Sequence, residues 1–271
     1  MHVDGGPVRW YVRADPTDGR AILFLHGFAG TGTDWDDVRK QLPSGWRGYA
    51  PDLPGHGESA LPPAIGFDKF PAMVKALFDS LGLESAVFVG YSLGARLALS
   101  VAAQMPDLVD GLFLESPNPG LSDPSNIETR RRQDENDARM LEMEGLERFF
   151  SQWHERPVFT TRRGGPGWEA EVARKRKTNH ARRLAQVMRG LGLSSQPDFI
   201  PALKTFKKPM LIIAGEKDEP YVEHSRRLAL HHAKHRKVVL APCGHNVHTE
   251  QPLVFRDALQ EFLRTLHPRG A

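Results

Sequence analysis

The stretch VFVGYSLGARLA (87–98) constrains this chain more than any other. It joins an unbroken apolar run to a helical pattern through Gly90, Tyr91, Ser92, Leu93 and Gly94. An apolar run without alternation suits a strand covered on both faces. G-x-S-x-G at a strand-to-helix junction lifts the serine above the sheet in a strained turn, and the flanking glycines allow strand and helix to approach closely. The helix N-terminus then points free N–H groups and its positive dipole end at any negative charge developing there. A serine that merely caps a helix needs no glycine on either side.

The same alternation continues along the chain. Strands are expected over 8–14, 21–27, 48–52, 86–90, 111–116, 209–218 and 237–242, and helices over 34–42, 68–82, 93–105, 221–232 and 251–266. Short apolar runs alternating with helices indicate an α/β fold, a mostly parallel twisted sheet with helices on both faces. The strand pattern stops between 121 and 205. That stretch is polar and helical, opened by Asp123-Pro124, interrupted by Pro157, and continued by one further helix through GWEAEVARKRKTNHARRLAQVMRGL (167–191). The expected organisation is a core of residues 1–120 and 206–271 carrying an inserted helical cap, 121–205, over the carboxyl edge of the sheet, where open α/β folds bind ligands.

Charge is distributed unevenly. Residues 121–208 hold 18 Lys+Arg against 12 Asp+Glu, a net of +6, while the remainder holds 18 against 21, a net of −3. A basic insert in a mildly acidic body suggests an anionic partner, with a solvated helical surface as the plainer explanation. The near-balanced total argues against a nucleic-acid partner. No apolar run has the length of a membrane span or the flanks of a signal peptide, so a cytoplasmic protein without membrane insertion is expected. With Cys243 the only cysteine, there is no disulfide framework and no cysteine-based metal site. Cys243 reads as a small buried hydrophobe.

A serine hydroxyl needs a base. APCGHNVHTEQP (241–252) offers His245 at a strand end and His248 one helical turn on, the latter reading as a surface residue. His231, His232 and His235 read as a solvated helix face. The histidine in turn needs a carboxylate to fix its tautomer. Asp218, just past a strand in LIIAGEKDEP, is the candidate, with Glu216 the alternative. Ser92, Asp218 and His245 follow the Ser…Asp…His order of α/β-hydrolases. Oxyanion donors are expected at the backbone N–H groups of Leu93 and Phe28. His26 and His56 lie in loops and read as braces. Arg96, at i+4 from Ser92, can face the same mouth, or it can belong to a structural salt bridge.

LHGF, DLPGHG, GYSLG, GEKD and the final GH resemble the α/β-hydrolase superfamily and span nearly the whole chain. That resemblance implies the α/β-hydrolase fold but not the reaction. FLHGFAGTGTDW, GYSLGARLAL, LESPNPGL and the long RRRQDENDARMLE…GLERFFSQWHERPVF narrow it: they resemble the 2-succinyl-6-hydroxy-2,4-cyclohexadiene-1-carboxylate synthases of menaquinone biosynthesis. In that family the histidine-activated serine removes a proton from the substrate, pyruvate is eliminated, and the cyclohexadiene ring forms. The resemblance implies a small anionic polycarboxylate substrate and substrate-binding roles for Arg130, Arg176, Tyr91 and Trp153, with Arg131 and Arg132 as alternatives to Arg130. It requires no metal and no organic cofactor. Ala95 departs from the commoner GYSLGGR.

Three other functions compete. A carboxylesterase or carbon–carbon-bond hydrolase would use Ser92 as a nucleophile. A receptor with a retained triad would bind without turnover. A nucleic-acid protein would use the basic cap and bind with a strong salt dependence.

Overall fold

A computed structural model describes residues 1–230 and 236–266. Eight strands form one sheet: β1 His2–Gly5, β2 Val8–Ala14, β3 Arg20–Leu25, β4 Trp46–Pro51, β5 Ala86–Tyr91, β6 Val109–Glu115, β7 Met210–Gly215 and β8 Arg236–Ala241. Their order is β1-β2-β4-β3-β5-β6-β7-β8, antiparallel at β1/β2 and β2/β4 and parallel from β4 to β8. The helices are α1 Asp36–Arg39, α2 Phe70–Leu81, α3 Leu93–Gln104, α4 Pro124–Trp153, α5 Trp168–Thr178, α6 Ala181–Leu191, α7 Ile200–Leu203, α8 Glu219–Leu230, α9 Val247–Glu250 and α10 Pro252–Leu266.

Period-2 alternation sorts the strand side chains onto two faces. Leu23, Leu25, Phe88, Leu112, Leu114 and Ile212 pack with Met73, Val74 and Leu77 of α2 and with Leu97, Ala98 and Val101 of α3. Ile22, Phe24, Val87, Val89, Phe113, Leu211 and Ile213 pack instead with Phe255, Leu259, Phe262 and Leu263 of α10. Both faces are covered, which is why β3, β5, β6 and β7 read as continuous apolar runs.

Between Glu115 and Met210 there is no strand among the described residues. Ala138, Leu141, Phe149 and Phe150 of α4 meet Leu184, Ala185 and Met188 of α6 in a separate apolar cluster, joined to the core at Phe28 and Ala29. Gly145 breaks α4 with φ 79 and ψ −175. No helix among the described residues is long and apolar enough to cross a membrane.

Several expected elements differ. β1 is additional: it is a short edge strand with a single apolar residue, Val3, too little to show as a pattern, and it is specified by its pairing with β2. The helix expected over 34–42 is a 3₁₀ turn, Gly32–Trp35, followed by the short α1. The single helix expected over 167–191 is two, α5 and α6, separated at Asn179 and His180, both extended (φ −113, ψ 164 and φ −122, ψ 123). There the Asn179 side-chain amide donates to the Lys175 and Ala29 carbonyls, capping one helix and tying it to the core. His231, His232 and His235 lie outside the described residues.

Candidate active site

The turn from β5 to α3 consists of Ser92 alone, at φ 51 and ψ −106. This is a left-handed φ that L-residues adopt only under constraint. The Ser92 N–H donates to the Glu115 carbonyl at 2.9 Å, and the Ser92 carbonyl accepts from Arg96 N–H at 3.1 Å. A Cβ on Gly90 would lie 2.6 Å from the Gly94 carbonyl oxygen, and one on Gly94 would lie 2.0 Å from that of Leu25. Both positions therefore exclude side chains, and this closeness holds the serine at the rim of the sheet.

Asp218 sits in the turn between β7 and α8, where its carbonyl accepts from the Tyr221 and Val222 N–H groups. His245 follows β8 in a loop held by Ser116, whose hydroxyl donates to the His245 carbonyl at 2.9 Å. The three side chains meet: His245 Nδ1 lies 2.6 Å from Asp218 Oδ2, and His245 Nε2 lies 3.1 Å from Ser92 Oγ. Asp218 and His245 are buried. A carboxylate on Nδ1 places the proton there and leaves Nε2 as an acceptor for the serine hydroxyl. Leu93 opens α3, where the first N–H groups lack helical partners. Neither its N–H nor that of Phe28 donates to another described residue.

His26 and His56 are fully buried, and burial pushes both imidazoles down to about 3. His26 accepts the Leu53 N–H at Nε2 and donates to the Gly27 carbonyl from Nδ1, so it ties two loops together as a neutral ring. Cys243 is buried, and burial pushes its thiol up to about 12. His248 does not lie on the surface as expected: it is buried against Trp35, with Nδ1 2.6 Å from Glu115 Oε2, and that carboxylate raises its pKa against the effect of burial. The distant acidic partner, 133 residues away, draws it inward.

Above Ser92 lies a chamber of about 500 Å³, bounded below by Phe28, Tyr91, Leu93, Arg96, Tyr221 and His245. Arg130, Trp153, Arg156 and Lys175, all from the strand-free stretch, bound it above. Arg130 Nε donates to Asp134 at 2.7 Å, Arg156 Nη2 to both oxygens of Asp137 at 2.6 and 2.7 Å, and Lys175 pairs with Glu171 at 2.8 Å. Arg96 differs. It donates only to the Leu191 carbonyl at 2.9 Å and to Gln196 Oε1 at 3.2 Å, and it has no carboxylate partner among the described residues. Burial pushes Arg96 down to about 10, so it is still a cation at neutral pH. The structural salt bridge considered for Arg96 is therefore not formed within the described residues.

Arg131 and Arg132 both turn outward to Glu128, whereas their neighbour Arg130 lines the chamber. Arg176 is not among the lining residues; it pairs with Glu147 at 3.0 Å. Lys175 faces the chamber in its place, because the phase of α5 turns one residue of the RKRK run inward and the next outward. Sequence reasoning also missed Arg156, Tyr221 and Gln196. Arg156 follows Trp153 by three residues and stacks over its ring at 4.0 Å, a spacing visible in the sequence. Tyr221, whose ring centroid is 4.3 Å from that of His245, carries no such signal. Among the described residues no group of three or more His, Cys, Asp and Glu side chains is arranged to hold a metal ion.

Residues 20–252 match the family model of the alpha/beta hydrolase fold. The 2-succinyl-6-hydroxy-2,4-cyclohexadiene-1-carboxylate synthase of Enterobacter sp. (strain 638) is 33% identical over 90% of this chain and 91% of its own length. The enzyme of the same name from Salmonella schwarzengrund (strain CVM19633) is also 33% identical, over 90% of this chain and 94% of its own. Among solved structures, MenH from S. aureus superimposes with a TM-score of 0.87 at 28% identity, covering 96% of this chain and 99% of that one.

Proposed function

Because this chain belongs to the α/β-hydrolase fold family and, within it, to the 2-succinyl-6-hydroxy-2,4-cyclohexadiene-1-carboxylate synthases, we infer that it eliminates pyruvate from a succinyl-enolpyruvyl-cyclohexene carboxylate to form the cyclohexadiene product of that name. It is then a lyase of menaquinone biosynthesis. The observation that carries this reading is Arg96, a half-buried guanidinium one turn beyond Ser92 that lacks a carboxylate of its own. Holding a partly desolvated cation without a paired carboxylate is costly, and a carboxylate-bearing ligand offsets that cost. A simple ester has no group to do so, which argues against the carboxylesterase alternative.

In this reading His245, oriented by Asp218, takes the Ser92 proton, and the serine oxygen removes a proton from substrate carbon. The electron pair left on carbon drives out the enolpyruvyl oxygen, which departs as the enol of pyruvate and takes up a proton. Negative charge developing on the conjugated carboxylate is met by the N–H groups of Phe28 and Leu93. Arg96 and Arg130 grip the carboxylates, and Tyr91 and Trp153 wall the ring. Residues 121–205 serve as the cap that excludes water. Proton abstraction from carbon in a water-poor site is favoured because hydrogen bonds to the developing charge gain strength there. A polyanionic substrate does not cross a bilayer unaided, in keeping with a cytoplasmic enzyme.

The deciding assay supplies the synthesised enolpyruvyl-cyclohexene precursor and, separately, p-nitrophenyl butyrate. Release of one pyruvate per cyclohexadiene formed, with negligible ester cleavage, is the expected result. Rapid ester cleavage without pyruvate would make this a hydrolase.

A further inference from the structure

Ser92 and His245 follow strands that do not touch. Ser92 comes directly after β5 and His245 after β8, with β6 and β7 lying between those strands. Their contact therefore depends on whatever spans the carboxyl end of the sheet. Two consecutive residues at the end of β6 do so. The Glu115 carbonyl accepts the Ser92 N–H at 2.9 Å, and the Ser116 N–H donates to Ile213 of β7 at 2.9 Å. The Ser116 hydroxyl donates to the His245 carbonyl at 2.9 Å. The Glu115 carboxylate closes the arrangement, with Oε1 accepting the His248 N–H at 2.9 Å and Oε2 the His248 Nδ1–H at 2.6 Å.

We propose that Glu115 and Ser116 form a bracket that sets the distance between Ser92 and His245, making both positioning residues of this site. Both are fully buried. Ser116 holds a left-handed φ of 47, which turns its hydroxyl from the strand toward the His245 loop. A buried non-glycine residue keeps such a backbone when surrounding interactions determine it. His248 is fixed between the Glu115 carboxylate and the Trp35 ring, 4.6 Å away between centroids, and lies three residues after His245. The loop carrying His245 is thus clamped at both ends by β6, while the same strand end holds the backbone of Ser92. Neither bracket residue lines the chamber.

This inference rests on the proposed reaction only for its choice of substrate. The test compares Ser116→Gly, Ser116→Ala and Glu115→Gln with the unmodified chain. Three quantities are measured: pyruvate release, the rate of Ser92 labelling by a fluorophosphonate, and the melting temperature. Glycine relieves the left-handed backbone while removing the hydroxyl, so it separates positioning from stability. Ser116→Gly is expected to lower kcat and the labelling rate by about ten- to a hundredfold, the scale of a misplacement of up to an ångström, with KM within about twofold and an unchanged or higher Tm. Ser116→Ala should match it in kcat. Glu115→Gln keeps the shape but sets an amide nitrogen against His248 Nδ1, and should lower kcat likewise; if it does not fold, the Ser116 pair still decides.

Unchanged kcat and labelling in Ser116→Gly would overturn the bracket, as would a loss confined to KM. If the unmodified chain releases no pyruvate but is labelled, and Ser116→Gly is labelled at least tenfold more slowly, the bracket stands and the proposed reaction fails. An unmodified chain that is not labelled at all overturns the bracket, because Ser92 is then not held against its base.

Discussion

Arg96 stands one helical turn after Ser92 on α3, with its guanidinium shared between the Leu191 carbonyl and the Gln196 side chain. Both acceptors are neutral, so each leaves the charge uncompensated. Gln196 is itself fixed, its amide donating to the Asn118 carbonyl at 2.8 Å. The fork is thereby aimed before any ligand arrives, which lowers the ordering cost of binding an anion.

Arg96→Ala should therefore raise KM for the enolpyruvyl-cyclohexene precursor. A charge-assisted hydrogen bond contributes about 1.5–3 kcal/mol, which corresponds to roughly 10- to 100-fold in KM. Arg96→Lys should recover only part of this, because an ammonium cannot reproduce the planar two-point contact. Steady-state kinetics of pyruvate release test both variants, and an unchanged KM in Arg96→Ala would remove the argument from the uncompensated cation.

Ser92→Ala should act on kcat and spare KM, since in the proposed reaction the hydroxyl serves in the proton transfer and is not among the groups that grip the substrate. Loss of a positioned base costs roughly 10²- to 10⁴-fold. Single-turnover pyruvate release, paired with direct binding of the precursor, separates the two effects. A Ser92→Ala variant that binds ten times more weakly and reacts at the original rate would assign the serine to binding.

How far the sequence reveals these features depends on whether the determining contacts are local. β5 and α3 are legible because a covered strand, a glycine-flanked turn and an amphipathic helix leave contiguous patterns. Asp218 and His245 also each follow an apolar run, which sets them near strand ends, but the 2.6 and 3.1 Å contacts joining them to each other and to Ser92 depend on sheet order and on distant residues, which no local pattern reveals. β1 has no apolar pattern and exists because β2 offers it an edge. His248 looks superficial until Glu115 is brought to it, and Lys175 and Arg176 are indistinguishable in RKRK until the helix phase is known. The break at Asn179 goes with one side-chain amide reaching Ala29, 150 residues away, a contact with no local signature.

Gly94→Ala should damage the fold more than any exposed glycine substitution. The added methyl would meet the Leu25 carbonyl carbon at 2.4 Å and the His26 carbonyl oxygen at 2.8 Å, all of it backbone that cannot rotate away. A loss of at least about 3 kcal/mol is expected, since overpacking against rigid neighbours lies at the upper end of its usual range. Gly82→Ala, at the exposed end of α2, is the control: its φ of 69 and ψ of 31 are left-handed and nothing lies within 4 Å of the added carbon, so only the left-handed backbone penalty of about 1 kcal/mol applies. Urea denaturation of both variants decides the matter, and equal losses would mean that the close approach of α3 and β3 has slack.

Acid stability should carry the signature of buried neutral histidines. His26 and His56 are pushed down to about 3 by burial, against an ordinary value of 6.5. Below pH 6.5 the unfolded chain binds protons at both sites while the folded chain does not, so stability falls as pH falls, by about 1.4 kcal/mol per pH unit for each residue, until the folded values are reached. His248 has the opposite sign: Glu115 raises its pKa, so its contribution is complete below 6.5 and is lost as pH rises through the folded value. Between pH 5.5 and 4.5 the two buried rings together should remove about 3 kcal/mol, in addition to what the carboxylates contribute. His56→Gln lacks one of them and keeps the carboxylates, so its stability should fall by roughly 1 kcal/mol less over that interval. Urea midpoints of the two chains at pH 5.5 and 4.5 supply the comparison, and parallel losses would show that His56 takes up its proton in the folded state.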